Sequence, residues 1–322
     1  MDENAEPWGA WYTQPAMLDP RFVSEHLEEL RAAIGRRGAK HTETLDRVAE
    51  LSGQWRSTVS EVETLRAERN DASTAMAKLD KSGPDFAARR ADLRTLGDRI
   101  KELETKEKAL GAALEDAVLF LPNMPHESVP DGTSEADNRV VRVWGEKPTY
   151  AFTPRDHHDL GEALGILDFA RGAKVSGARF TVLLGAAARL ERALLMLMMD
   201  LHSGEHGYTE MWPPALVSRS AMRGTGQLPK FAAEMFRTER TKLGADASAA
   251  EVEANELWLA PTAEVPVTNF HGDEIFEPGD LPRAYCAYTA CFRAEAGSYG
   301  KDTRGLIRQH QFDKVELVRF CE

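Results

Sequence analysis

The sequence predicts an α+β chain in which a hairpin of two long antiparallel helices precedes a domain of short strands and helices. Three observations carry that prediction. Apolar residues recur at three- and four-residue steps through two long stretches joined by a single turn. A proline-rich segment follows them. Beyond it the pattern shifts to short β-type runs punctuated by glycine and proline.

Residues 1–16 hold Pro7, Gly9 and Pro15 with little periodicity and are expected to form a tail, although Trp8, Trp11 and Tyr12 are unusual there. In MLDPRFVSEHLEELRAAIGRRG, Phe22, Leu27, Leu30 and Ile34 fall at helical spacing and Gly35 and Gly38 close the pattern, predicting one short helix. From His41 to about Leu79 the apolar series runs Leu45, Val48, Leu51, Trp55, Val59, Val62, Leu65. Lys81-Ser82-Gly83-Pro84 makes a turn, and Phe86, Leu93, Leu96, Ile100, Leu103, Leu110, Leu114 and Val118 repeat the series. Two such helices pack as an antiparallel coiled hairpin, each arm roughly 50 Å long at 1.5 Å per residue. The arm's Arg56, Arg66, Arg69, Arg89, Arg90, Arg94 and Arg99 alternate with acidic residues. A solvated face is the plain reading of these charges, and contact with a large partner the functional one.

The cluster LPNMPHESVPDGTSEADN reads as a linker. Short strands are expected at Val140–Val143, Phe180–Leu184, Leu257–Leu259, Ala284–Tyr288 and Gln311–Leu317, with a helix over 185–206 ended by Gly207 and Pro213-Pro214. That helix is apolar most of the way round, through Leu190, Leu194, Met196, Leu197 and Met198. Burial in the core is its first reading and a subunit interface the sharper one. The expected domains are 1–16, a tail; 17–125, the helical arm; and 126–322, the β-containing domain.

The 322 residues are 42% hydrophobic and 29% charged, enough for packed domains. Three cysteines give no disulfide framework and point to the cytoplasm. No basic segment followed by an apolar run opens the chain, so no signal peptide is expected. The longest apolar stretch, Phe180 to Leu201, is interrupted by Arg189, Glu191 and Arg192, so no membrane partner is expected either. A net charge of −12 opposes nucleic-acid binding by bulk electrostatics but leaves a local arginine groove open. Cys286 and Cys291 lack a second pair at ligand spacing, so no metal is assigned. His157-His158, flanked by Asp156 and Asp159, reads as a polar loop without chemistry.

The chemistry concentrates near the end of the chain. If Arg293 and Glu295 sit in extended backbone, period two puts both side chains on one face, the arginine for a phosphate or carboxylate and the glutamate for an amine. Alone, this pair is an ordinary strand salt bridge. A polar loop follows, GSYGKDTRGLIR, and in the returning strand Phe312, Lys314 and Glu316 share a face opposite Asp313 and Val315. Such a strand–loop–strand unit suits a nucleotide, with Phe312 against the base and arginines at the phosphates.

The block FRAEAGSYGKDTRGLIRQHQFDKVE closely resembles motif 2 of the seryl-tRNA synthetases, a family of class II aminoacyl-tRNA synthetases. MLDPRFV with the helical hairpin, GYTEMWPPALV (resembling motif 1), TGQLPKF and Pro261-Thr262-Ala263-Glu264 resemble the same family in the same order, from about Met17 to the last residue. The resemblance implies a class II antiparallel β-sheet catalytic domain and ATP-dependent attachment of L-serine to tRNA(Ser), with tRNA(Sec) as a further acceptor, through seryl-adenylate. It implies that Arg293, Ala294, Glu295, Arg308 and Phe312 bind ATP, with Arg293, Glu295 and Arg308 the catalytic set. Arg293 would bridge the α-phosphate and the serine carboxylate, Glu295 would hold the adenine amino group, and Arg308 would contact the outer phosphates. Phe312 would stack on adenine, while Thr262, Ala263, Glu264, Arg293 and Glu316 would bind serine. Pro214 would lie at a homodimer interface, and the arm would reach the long variable arm of tRNA.

The chain ends at Glu322, just after the motif 2 block, and contains no G-x-G-x-x-x-R-like sequence. The resemblance therefore implies truncation before motif 3, which carries the arginine for the far face of adenine, and before the glutamate expected to hold Mg2+. Truncation would leave Val315 to Phe320 as an apolar sheet edge and weaken the second half of the chain. The alternative function is a catalytically impaired fragment that keeps tRNA binding and dimerisation only. A plain coiled-coil interaction protein leaves the motif 2 block unexplained.

Overall fold

The structure, a computed structural model, describes residues 18, 20–77, 79, 83–132, 134–295 and 304–322. The expectations for the tail, for Lys81 and Ser82 of the turn, and for residues 297–303 of the polar loop lie outside these residues. The chain divides into two compact units, the first ending at Gly145 and the second spanning Glu146–Glu322.

In the first unit, α1 (Pro20–Glu25) and α2 (Leu27–Gly35) precede the long helices α3 (Ala39–Met76) and α4 (Pro84–Val118). The single short helix expected after Met17 is thus two. His26 leaves helical geometry at φ −121°, ψ 34°, and its ring stacks on Phe22 at 4.3 Å. Pro84 stands in the first turn of α4, where its missing N–H costs nothing. The seam of the hairpin buries Leu45, Val48 and Val62 of α3 against Ile100, Leu103 and Leu114 of α4. Trp55 packs beside Gly111, where a Cβ would stand in ordinary contact with the indole nitrogen at 3.5 Å. At the base, Val23, Leu30 and Ile34 join Leu45, Val48, Leu114 and Val118 in one core. Arg66–Glu104 at 2.7 Å and Arg99–Glu61 at 3.1 Å cross between the long helices. Exposed pairs of this kind add little stability. The segment after α4 stays with this unit, Arg36 holding Asp131 at 2.5 Å.

Val140 to Val143 form no strand. A strand needs a neighbour to take its backbone hydrogen bonds, and these side chains face solvent, Val141 at 86% exposure.

The second unit contains α5 (His157–Ala163), β1 (Leu167–Asp168), α6 (Phe169–Ser176), β2 (Val182–Leu183) and α7 (Ala186–Gly204). Next come β3 (Thr209–Met211), β4 (Leu216–Ser218), α8 (Arg219–Gly224), β5 (Arg237–Glu239), α9 (Ala249–Asn255) and β6 (Glu256–Leu259). It closes with α10 (Glu264–Asn269), β7 (Arg283–Phe292) and β8 (Gln311–Phe320). The β7–β8 pair is antiparallel along its full length, with β3 added parallel to β7. A second sheet has the order β4-β6-β5, antiparallel throughout. The Phe292 N–H donates to Ala260 O at 3.0 Å and joins the end of β7 to the chain leaving β6. Val217, Met222, Leu228, Trp258 and Val265 pack around the second sheet, and Ala263, Val267 and Ala287 pack where α10 lies on β7 and β8. The small side chain of Ala287 lets the helix approach the sheet.

Core burial of α7 is overturned: none of its residues is buried, and Leu197 is 61% exposed. Its apolar circumference is wider than the sheet beneath it can cover. Trp212, which follows β3, is 89% exposed, and Pro214 is exposed beside it.

Candidate active site

The strand pairing places the site. In the register of β7 and β8, Lys314 stands opposite Thr289, Glu316 opposite Ala287 and Phe312 opposite Cys291. Period two aims Phe312, Lys314 and Glu316 at one side of the sheet, as the sequence predicts, and Asp313 at the other, where its carboxylate accepts from Tyr288 OH at 3.1 Å.

Thr262 lies just before α10 and reaches the first of these faces. Its hydroxyl donates to the Glu316 carboxylate and accepts from Lys314 Nζ at 3.0 Å, while Lys314 also pairs with Glu316. Threonine, lysine and glutamate therefore form a closed triangle, Thr262 itself being 5% exposed. Ala263 is fully buried, so it offers a ligand its main chain only. Glu264 is exposed in the first turn of α10.

Arg293 follows β7. Its Nε donates to Pro261 O at 3.3 Å and its guanidinium stands 5.3 Å from the centre of the Phe312 ring, within cation–π range. A cation over one face of Phe312 leaves the ring able to stack a planar ligand by the other. The expected extended geometry does not continue to Glu295. β7 ends at Phe292, and Glu295 takes the left-handed conformation at φ 47° as the chain turns. Its carboxylate accepts from Arg308 Nη1 at 2.8 Å, so Glu295 and Arg308 form a pair across the loop. The Ala294 N–H donates to Glu234 O at 2.7 Å.

Several supporting residues carried no assignment from sequence. Lys314 was legible only as one step in a period-two series. His310 meets Phe180 and Phe236 with ring centres at 5.3 and 5.8 Å, and its Nδ1 lies 3.0 Å from Arg293 O. Arg179, at φ 63°, donates from its side chain to Glu295 O at 3.0 Å, and its own carbonyl accepts the His310 N–H. No spacing rule links a residue so far upstream to the loop.

Beneath the triangle, burial raises the Cys291 thiol above its ordinary value, against the pull of Thr289, Lys314 and Arg293 toward the thiolate. On the opposite side of the sheet a cavity of about 590 Å³ is lined by Leu195, Met196, Met199, Glu191, Tyr288 and Asp313. Desolvation and the neighbouring Asp313 raise the Glu191 carboxyl there. Apolar side chains dominate that cavity, whereas Lys314, Arg293, Thr262 and Glu316 converge on the Thr262 side of the sheet. Among the described residues, Asp156, His158 and Asp159 alone bring three potential metal ligands together. They stand at the positive end of α5, which disfavours a cation.

Comparisons with known proteins give the class and the family. Residues 248–322 match the tRNA synthetase class II core domain (G, H, P, S and T), which sets the class. Residues 17–125 match the Seryl-tRNA synthetase N-terminal domain. A serine–tRNA ligase of Sorangium cellulosum (strain So ce56) is 54% identical over 305 residues, covering 94% of this chain and 69% of that protein. One from Geobacter sulfurreducens is 51% identical over 304 residues, covering 94% and 68%. The crystal structure of seryl-tRNA synthetase from Pyrococcus horikoshii complexed with ATP superposes with a TM-score of 0.78 at 34% identity, covering 94% of this chain and 69% of that one. The chain belongs to the seryl-tRNA synthetase family of aminoacyl-tRNA synthetases.

Proposed function

We propose that this chain attaches L-serine to tRNA(Ser), and to tRNA(Sec), in two steps. A serine carboxylate oxygen attacks the α-phosphorus of ATP, the bond to the β-phosphate oxygen breaks, and pyrophosphate leaves. The terminal ribose hydroxyl of the tRNA then attacks the carbonyl of seryl-adenylate, and AMP departs. The observation that carries this reading is the Thr262–Lys314–Glu316 triangle on the same sheet face as Arg293 and Phe312. It sets a small polar pocket beside a nucleotide platform.

Reactions of this kind need aligned reactants and neutralised charge more than a nucleophilic side chain. Arg293 lies between the two subsites and is assigned to the α-phosphate and the serine carboxylate. Adenine stacks on the face of Phe312 that Arg293 leaves open, with Glu295 and the Ala294 main chain at the base edge. Arg308 takes the outer phosphates, so ATP must exchange the Arg308–Glu295 contact for its own. Thr262 and Glu316 receive the serine hydroxyl, and Glu264 with the Ala263 main chain receives the ammonium group. A pocket built for a hydroxyl rejects alanine by leaving its own groups unpaired.

Mg2+ is expected from the family. Glu295 and Glu316 are engaged by Arg308 and by Lys314 with Thr262, so these two carboxylates offer no ready ligand pair. The helical arm, 17–125, is assigned to tRNA backbone and shape; residues 126–322 are assigned to the catalytic domain. The exposed apolar side of α7, with Trp212 and Pro214, is assigned to a homodimer contact. No described helix is long and apolar enough to cross a membrane; a cytoplasmic location is part of this reading, where the ATP, serine and tRNA it requires are found.

The test is ATP–pyrophosphate exchange by the purified 322-residue chain with serine, threonine or alanine. Exchange with serine alone supports the reading. A folded chain that binds tRNA(Ser) without exchange assigns it the binding and dimerising role instead.

A further inference from the structure

We propose that His157, at the start of α5, is a positioning residue for the loop that carries Arg308. The proposal rests on the reading of Arg308 as a phosphate contact. The Leu306 N–H donates to His157 Nε2 at 2.9 Å, joining two segments far apart in sequence. Gly305, at φ +70°, turns its bare α-carbon against the same ring: a Cβ there would lie 2.2 Å from Nε2 and 3.2 Å from the His158 Cβ. The close approach and the left-handed turn together require glycine.

The loop is thereby held on both sides of Arg308. Leu306, two residues before it, is fixed by His157. His310, two residues after it, donates its N–H to Arg179 O at 3.1 Å. Arg308 itself is an exposed side chain on a short span between the two anchors, and its guanidinium meets Glu295. A long cation used for phosphate binding loses rotational and backbone freedom when it engages its ligand. Anchoring its loop beforehand removes part of that cost. The bond also fixes the imidazole: with Nε2 accepting, the ring proton sits on Nδ1.

Two variants separate the role of the hydrogen bond from that of the ring's bulk. His157→Phe keeps a ring beside Gly305 and removes the acceptor. His157→Gln places an amide oxygen near the position of Nε2. Hydrogen–deuterium exchange of the whole 322-residue chain, read on peptides covering residues 304–310, should be about five- to tenfold faster in His157→Phe and close to wild type in His157→Gln. Peptides from α7, α10 and β7 should be unchanged in both. Equilibrium binding of MgATP should weaken by about the same factor in His157→Phe and recover in His157→Gln. Unchanged exchange in His157→Phe, or equal acceleration in both variants, overturns the proposal. A wild-type chain that does not bind ATP overturns the ATP reading for this chain, while the exchange comparison still decides whether His157 holds the loop.

Discussion

Thr262→Val replaces one hydroxyl by a methyl group of nearly the same volume at a position 5% exposed. It removes a donor to the Glu316 carboxylate and an acceptor for Lys314 Nζ at 3.0 Å. Hydrogen bonds to charged partners are worth about 1.5–3 kcal/mol each. The Glu316 bond belongs near the lower end, because Lys314 still pairs with that carboxylate after the substitution. The Lys314 bond is worth less than that range, since its side chain is 36% exposed and water can replace the hydroxyl. The sum is about 2–3 kcal/mol. For a unit of this size, that corresponds to a melting shift of about 5–10 °C. Thr262→Ser is the control: it keeps the hydroxyl and gives up a methyl group, costing about 1 kcal/mol. Urea unfolding of the three proteins, followed at the transition of the second unit, gives the comparison. The serine variant should fall between wild type and valine, and only the valine variant should also lose serine-dependent exchange. A valine variant within 0.5 kcal/mol of wild type, or less destabilised than serine, would refute the triangle as a bonded unit.

Arg293→Ala, in a protein that supports exchange, should abolish it and change unfolding free energy by no more than about 1 kcal/mol, because the arginine's contacts are one carbonyl and one ring face. Leu197→Glu places a charge on the exposed side of α7; sedimentation should show a dimer converted to monomer at unchanged helicity, and a wild-type chain that sediments as a monomer refutes the assignment of that face. Gly172→Ala would set a Cβ 2.3 Å from Phe180 O, so α6 or the chain leading into β2 must shift; calorimetry should show a loss of about 2 kcal/mol or more. Burial raises both Cys286 and Cys291. Their stabilising contribution is complete below the unfolded thiol pKa of about 8.5 and is lost as pH rises through the higher folded values. Stability should therefore decline on the alkaline side. A thiol reagent at pH 8 should label exposed Cys321 rapidly and the other two only on unfolding.

The helical hairpin was legible because its information is local. A three- and four-residue apolar period, a turn and Pro84 suffice to set two helices, and they form within a few residues of the expected bounds. The short helix before it was misread as continuous because nothing in composition marks His26 as the break. Val140 to Val143 have strand composition but no neighbour to pair with, and only tertiary structure supplies a neighbour. The exposure of α7 was undecidable for the same reason: an apolar helix looks alike in sequence whether buried in its own chain or left at a surface.

By itself the sequence determined the α+β order of elements, the shared face of Phe312, Lys314 and Glu316, and the motif residues, since alternation along a strand and ordered motifs are properties of the chain. Tertiary structure alone decided that Thr262 closes on Lys314 and Glu316, that Glu295 turns out of the strand to meet Arg308, and that Leu306 and His310 donate to His157 and Arg179. Those contacts join residues far apart in sequence, and their geometry depends on how the sheets, α5 and α10 come together rather than on any local pattern.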